Sequence, residues 1–181
     1  MVTTDKTTTT VWTIDPSHSS VEFAVKHMMI STVKGRFAGV KGTITLDDQS
    51  HNTSAVDVEI DVHTVDTRDE KRDGHLRSPD FFDAEHYPTI TFRSTRVTPT
   101  GDTTAEVTGD LTMHGVTHEV TLDTEETGRG TSPFGPQVIG FTATTNLNRK
   151  DYGLGWNAAL ESGGVLVGED VKISLDVEAT S

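Results

Sequence analysis

There is no cysteine in the 181 residues. Disulfides, thiolate metal sites and a cysteine nucleophile are therefore excluded, while the compartment is left open. Basic residues are few: 15 Lys and Arg stand against 28 Asp and Glu, a formal charge of −13. Such a field repels phosphate backbones, so no nucleic-acid partner is expected, and it discourages binding to anionic membrane surfaces. No apolar run approaches the roughly 18 residues a membrane helix needs. An integral membrane protein is not expected, and no basic amphipathic helix is present. The opening "MVTTDKTTTT" lacks the apolar segment of a secretory signal, which points to a cytoplasmic protein. Also missing are a G-x-S-x-G elbow, a phosphate loop, a Gly-rich dinucleotide turn and an Asp-rich calcium loop.

What the chain does have is alternation. In "SAVDVEIDVHTVDT", Val56, Val58, Ile60 and Val62 share one face, and Asp57, Glu59, Asp61 and His63 the other. That pattern predicts a long strand, buried on one side and wet on the other. It recurs at Val21, Phe23, Val25; at Ile44, Leu46; at Ile90, Phe92; and at Val107, Leu111, Met113. It returns at Ile139, Phe141, Ala143, Leu147 and at Val171, Ile173, Leu175, Val177. Turn signals such as "DDQSHN", "PTGD" and "SPFGPQ" separate the runs. Many one-faced strands without long helices predict an antiparallel all-β sandwich or barrel. With no linker or repeat, residues 11–181 read as one domain behind a Thr-rich tail, residues 1–10.

Two segments break the rhythm. Residues 67–88, "TRDEKRDGHLRSPDFFDAEHYP", predict a short helix over Arg68 to Arg77, weakened by Gly74. A second turn follows, opened by Ser78 and Pro79 and carrying Phe81 and Phe82. This is a lid between two strands. "RKDYGLGWNAALESGG", with Tyr152, Leu154, Trp156 and Leu160, also reads as a cover over a barrel mouth.

The stretch "DLTMHGVTHEV" places His114 and His118 four residues apart, a helical chelating interval. In strand register the interval means something else. Gly115-Val116 fits the centre of a type II′ turn, pairing His114 with Thr117, Met113 with His118 and Leu111 with Val120. The two rings then face opposite sides, with His118 turned in at the barrel rim, so they do not form a metal site. The other histidines are scattered, and no metal ligands and no catalytic group are assigned.

Several motifs together carry a resemblance that spans Trp12 to about Ala179. They are "WTIDPSHSSVEFAVKHMMISTVKGRFAGVKGTI", "RDGHLRSPDFFD" with "YPTITFRS", "LTMHGVTHEVTL", "DYGLGWN" and "GGVLVGEDVKISLDVEA". In this order they resemble the YceI-like family of lipid-binding proteins. The resemblance implies an antiparallel eight-stranded lipocalin-like β-barrel with a short helical lid inserted between strands. It also implies an isoprenoid, polyprenyl carrier or quinone tail bound inside, no other cofactor, and a homodimer by family analogy. The family often has a basic residue where this chain has His118.

Together these readings predict a non-enzymatic protein that binds, stores or transports a hydrophobic small molecule or lipid. Phe23, Val25, Val58, Ile60, Phe92, Leu111, Met113 and Phe141 are expected to line the interior. Leu76, Phe81, Phe82, Trp156 and Leu160 are expected at the mouth. Arg68, Arg72, His75 and Arg149 are candidates to meet a polar head group. The alternatives are a stress-related protein with a filled barrel that acts through protein partners, and a metal-dependent enzyme.

Overall fold

The computed structural model describes residues 9–161 and 163–181. The alternating runs form eleven strands, all paired antiparallel. They begin with β1 (Thr9–Ile14), β2 (Ser20–His27), β3 (Ser31–Phe37), β4 (Val40–Asp47), β5 (Ala55–Asp61) and β6 (Val65–Asp66). After helix α1 (Glu70–Arg77) come β7 (Thr89–Pro99), β8 (Thr104–Met113), β9 (Val116–Thr131), β10 (Gln137–Asn148) and β11 (Val167–Thr180). The first strand thus begins inside the stretch expected as a tail, residues 1–8 of which lie outside the described residues.

β1 and β2 follow one another along the same edge of β11, β3 and β4 are successive halves of the next strand, and β5 and β6 of the one after. Counting each bent strand once gives a closed eight-stranded barrel with one short helix, as the family resemblance implies. The ring shuts where Thr13 meets Thr180 and Ile14 meets Ala179. The strand expected to run through Val62 stops at Asp61, whose carboxylate accepts from the His63 N–H at 2.9 Å and starts a short turn. That turn and the adjacent bend are tied together, because Gly39 N–H donates to Thr64 Oγ1 at 3.1 Å and Asp61 N–H to Gly39 O at 2.8 Å.

The lid helix begins two residues later than predicted. Asp69 is the N-cap, accepting from Arg72 N–H at 3.1 Å, and Arg68 precedes it in a left-handed conformation. Its side chains finish the main chain of β6 and its flanks. Asp73 accepts from Thr67 N–H at 2.8 Å, Arg72 donates to Thr67 O at 2.7 Å, and Arg77 to His63 O at 3.3 Å.

The predicted type II′ turn is corrected. The central residues are His114 and Gly115, both at positive φ (55° and 73°), which is type I′. Met113 pairs with Val116 and Leu111 with His118, so every partner moves by two residues and the inward and outward faces are unchanged. A histidine in this conformation is supported from outside the hairpin. His114 Nδ1 lies 2.9 Å from Tyr152 O, and its ring sits edge-on to Tyr87 at 5.0 Å. His118 Nε2 lies 2.8 Å from Asp151 O. The two imidazoles therefore grip adjacent carbonyls of one turn, Arg149–Tyr152, rather than one ion.

That turn is anchored by Arg149, which is only 5% exposed. Its guanidinium donates to four carbonyls, those of Leu154, Trp156, Val167 and Gly168. Burial without a hydrogen-bonded carboxylate lowers its pKa from the ordinary arginine value, against the opposing field of Glu169. Arg149→Met should leave those carbonyls without their donor, at about 3 kcal/mol or more. The expected thermal unfolding midpoint is lower by roughly 6–12 °C, with accelerated amide exchange across residues 154–167; an unchanged midpoint would contradict the staple.

At the β1–β2 corner, Asp15 takes Ser17 N–H and Ser17 Oγ on one oxygen and His18 Nδ1 at 2.8 Å on the other. The His18 bond, with those from Ser17, holds the Asp15 pKa down at about 2; the Asp15 bond, then the Glu178 charge, raises that of His18. The pair therefore contributes fully between about 4 and 6.5. Its contribution is lost as pH falls toward 2, where the carboxylate protonates, and as pH rises through the elevated imidazole pKa. NMR titration should find the Asp15 midpoint near 2, and Asp15→Asn should bring the His18 midpoint back down.

Candidate functional site

Closure of the sheet turns one side chain in two toward the axis, and these residues enclose a cavity of about 490 Å³. Its wall is aliphatic for most of its length: Val21, Val25, Ile44, Val58, Ile60, Ile173 and Leu175 contribute from strands on several sides. The interior aromatics do not block it. Phe23 lies flat against Gly35, where a Cβ would come within 2.2 Å of its ring, and a Cβ at Gly109 would come within 2.8 Å of the ring of Phe92. The two glycines accept the rings against the wall, so the lumen stays open between them.

The lid end is aromatic. Phe82 from the lid stands edge-on to Phe37 at 5.6 Å, and Phe37 meets Phe23 at 5.6 Å. Beside them, the ring of His75 lies 4.7 Å from Trp156 and 5.1 Å from Phe81, and its Nε2 is 2.9 Å from Asp80. Leu76, Leu154 and Leu166 complete this mouth.

The opposite end is ionic. Arg129 reaches Asp48 through two contacts, at 2.8 and 3.2 Å, and Glu126 through two more, at 2.8 and 3.1 Å. These bonds lower the Asp48 pKa and raise that of Arg129. Arg129 turns inward because a bulge at Thr127 resets the alternation of β9. His51, Asp102 and Thr103 border the same end. Sequence reading missed this closure: two turns and the far end of β9, distant in the chain, supply it, and the bulge hides the inward phase of Arg129.

Of the residues nominated from sequence, Phe23, Val25, Val58, Ile60, Leu76, Phe81, Phe82, Phe92, Leu111, Met113, Phe141 and Trp156 all line this space. Leu160 does not; it belongs to a small turn in which its carbonyl accepts from Gly163 N–H at 3.0 Å. Among the head-group candidates, Arg68 lies outside the cavity, while Arg72, His75 and Arg149 border it. Arg149 is committed to its four carbonyls, and Arg72 gives two of its nitrogens to Thr67.

One cluster of metal-type ligands is found among the described residues: Asp15, His18 and Glu178, whose ligand atoms lie within 4.8 Å of one another. They are already engaged in the hydrogen bonds and ion pairs of the β1–β2 corner. No described helix is long and apolar enough to cross a membrane.

The YceI-like domain profile matches residues 12–179. A UPF0312 protein of Staphylococcus aureus (strain N315) is 40% identical over 170 residues, covering 93% of this chain and 96% of that one. The structure of Burkholderia cenocepacia BcnA superposes with a TM-score of 0.80 at 24% identity, covering 91% of this chain and 98% of that one. A polyisoprenoid binding domain from Saccharophagus degradans, implicated in plant cell wall breakdown, gives a TM-score of 0.69 at 16% identity, covering 94% and 98%. With nearly its whole length matched by the profile, the chain belongs to the YceI-like family.

Proposed function

We propose that this protein binds, stores or carries a long hydrophobic molecule inside the barrel, an isoprenoid, polyprenyl or quinone-tailed lipid, without catalysing a reaction. The observation that carries the reading is the lumen: about 490 Å³, continuous from an aromatic mouth to an ionic floor, with aliphatic walls. That volume lies within the roughly 300–1,000 Å³ typical of ligand pockets. Kept dry and unfilled, such an apolar space costs on the order of 10 kcal/mol, comparable with the whole stability of a domain. A buried isoprene unit returns roughly 3–4 kcal/mol before ordering costs. The same volume speaks against a barrel filled by its own side chains.

The shape also favours a slender chain over a compact ring system. Valine, isoleucine and leucine make up most of the wall, and charged side chains are confined to its ends. At the mouth, the remaining N–H groups of Arg72 and the imidazole of His75 are the polar groups positioned to meet a head group. The Saccharophagus degradans domain, which has the same fold and is described as polyisoprenoid binding, adds support.

Organic extraction of the purified protein followed by mass spectrometry should release an isoprenoid near one per chain. Absence of any such lipid, with no uptake of added polyprenols or quinones, would refute the proposal. Phe141→Trp places a reporter in the wall, and its emission is expected to shift blue on lipid addition. Ala143→Phe fills the lumen and should weaken lipid binding at least about tenfold while leaving the circular dichroism spectrum intact.

A further inference from the structure

The turn joining β2 to β3 carries three consecutive apolar residues in the open: Met28, Met29 and Ile30, at 39%, 66% and 81% exposure. Its backbone is a type I′ turn, closed by Ile30 N–H donating to His27 O at 3.0 Å, with φ of 54° and 59° at Met28 and Met29. Asn-Gly is the sequence that such a turn favours, and methionine in the left-handed region is strained there. The two methionines therefore weaken the turn and bury little.

Position gives them a use. Met28 N–H donates to Leu166 O at 2.7 Å, and His27 and Leu166 both line the cavity mouth. The tip is part of the rim. Behind it, the hairpin is basic. Lys34 and Arg36 point away from the lumen on β3, Lys26 stands at the rim on β2 opposite Thr32, and Lys172 is beside them on β11 opposite Ala24. The acids nearby are Glu22, Asp66 opposite Arg36, and Glu169 and Asp170 in the adjoining bulge; Lys150 neutralises Glu169 at 2.7 Å. Nearest the tip, Lys26, Lys34 and Lys172 have Thr32 and Ala24 opposite them rather than an acid, in a chain whose net charge is −13. The acidic excess thus lies elsewhere on the molecule.

We infer that the β2–β3 hairpin is a membrane-docking device: Met28, Met29 and Ile30 enter the interface of an anionic bilayer while Lys26, Lys34, Arg36 and Lys172 face its head groups. The remainder of the surface is repelled, which orients the mouth toward the bilayer. Apolar tips backed by cations bind such surfaces by burial and charge together. The inference rests on the lipid-carrier reading for its purpose, and on the hairpin alone for its geometry.

The test is vesicle flotation of the full chain. Vesicles of phosphatidylcholine alone are compared with vesicles of one part phosphatidylglycerol to two parts phosphatidylcholine. The wild type is expected to float with the mixed vesicles and much less with the neutral ones. Lys26→Ala and Lys34→Ala should each weaken the anionic partition roughly fivefold. The decisive variant is M28N/M29G, which suits the turn better. It should unfold at the same or a higher temperature, take up polyprenol in solution as before, and lose flotation at least about tenfold.

A wild type that stays with the soluble fraction in both mixtures, or an M28N/M29G protein that floats equally well, overturns the inference. So does a solution dimer that M28N/M29G abolishes when the wild type does not float, since the tip is then a self-association contact. Polyprenol uptake without flotation overturns docking and leaves the cavity reading standing. Flotation without polyprenol uptake supports docking and removes the carrier reading.

Discussion

A sheet that closes on itself must bring half its side chains indoors, and the width of the ring decides whether they can fill it. Eight antiparallel strands sit at the margin, where an interior either packs solid or holds one ligand. In this chain the choice falls to slender residues. Val58, Ile60, Val25 and Ile173 coat the wall, and Gly35 and Gly109 make room for the rings of Phe23 and Phe92. The aromatic mouth and the ionic floor follow from the same closure, because the charged groups that reach the axis do so at the strand ends.

The alternation, the lid and the lining residues were legible because each depends on local spacing. Period-two apolar runs fix strand faces whatever the partner, and faces survive even when the register is misjudged. The hairpin at His114 shows this. A two-residue slip in pairing partners left His118 and Val120 on the inner side. What misled the turn assignment was a support supplied from afar, since the carbonyl of Tyr152 and the ring of Tyr87 hold His114 in its left-handed conformation. Arg149 and Arg129 were opaque for a related reason. A lone arginine in sequence signals a charge available for binding, and only the assembled chain reveals four carbonyls or two carboxylates waiting for it.

Charge teaches a similar lesson about averages. The formal charge of −13 argues against anionic surfaces for the chain as a whole. The field at one rim is set instead by a handful of side chains within a Debye length, roughly 8 Å at physiological ionic strength. A strongly acidic body with one mildly basic, apolar corner is a polarised object. Its net charge predicts solubility better than it predicts orientation.

The bends shared by the first three strand positions have a cost of their own. They carry β6 past the start of β7, so this two-residue strand pairs with β3 alone and presents a free sheet edge. Exposed edges invite pairing with other chains. Here the lid packs against β6 and caps the main chain on either side of it, at Thr67 through Asp73 and Arg72 and at His63 through Arg77. The same helix therefore roofs the lumen and guards the molecule against templated strand addition. Any excursion that lifts it from the mouth also bares a border able to pair with another strand for as long as the roof is raised. Access to the lumen and protection of the sheet edge are thus set by one opening equilibrium.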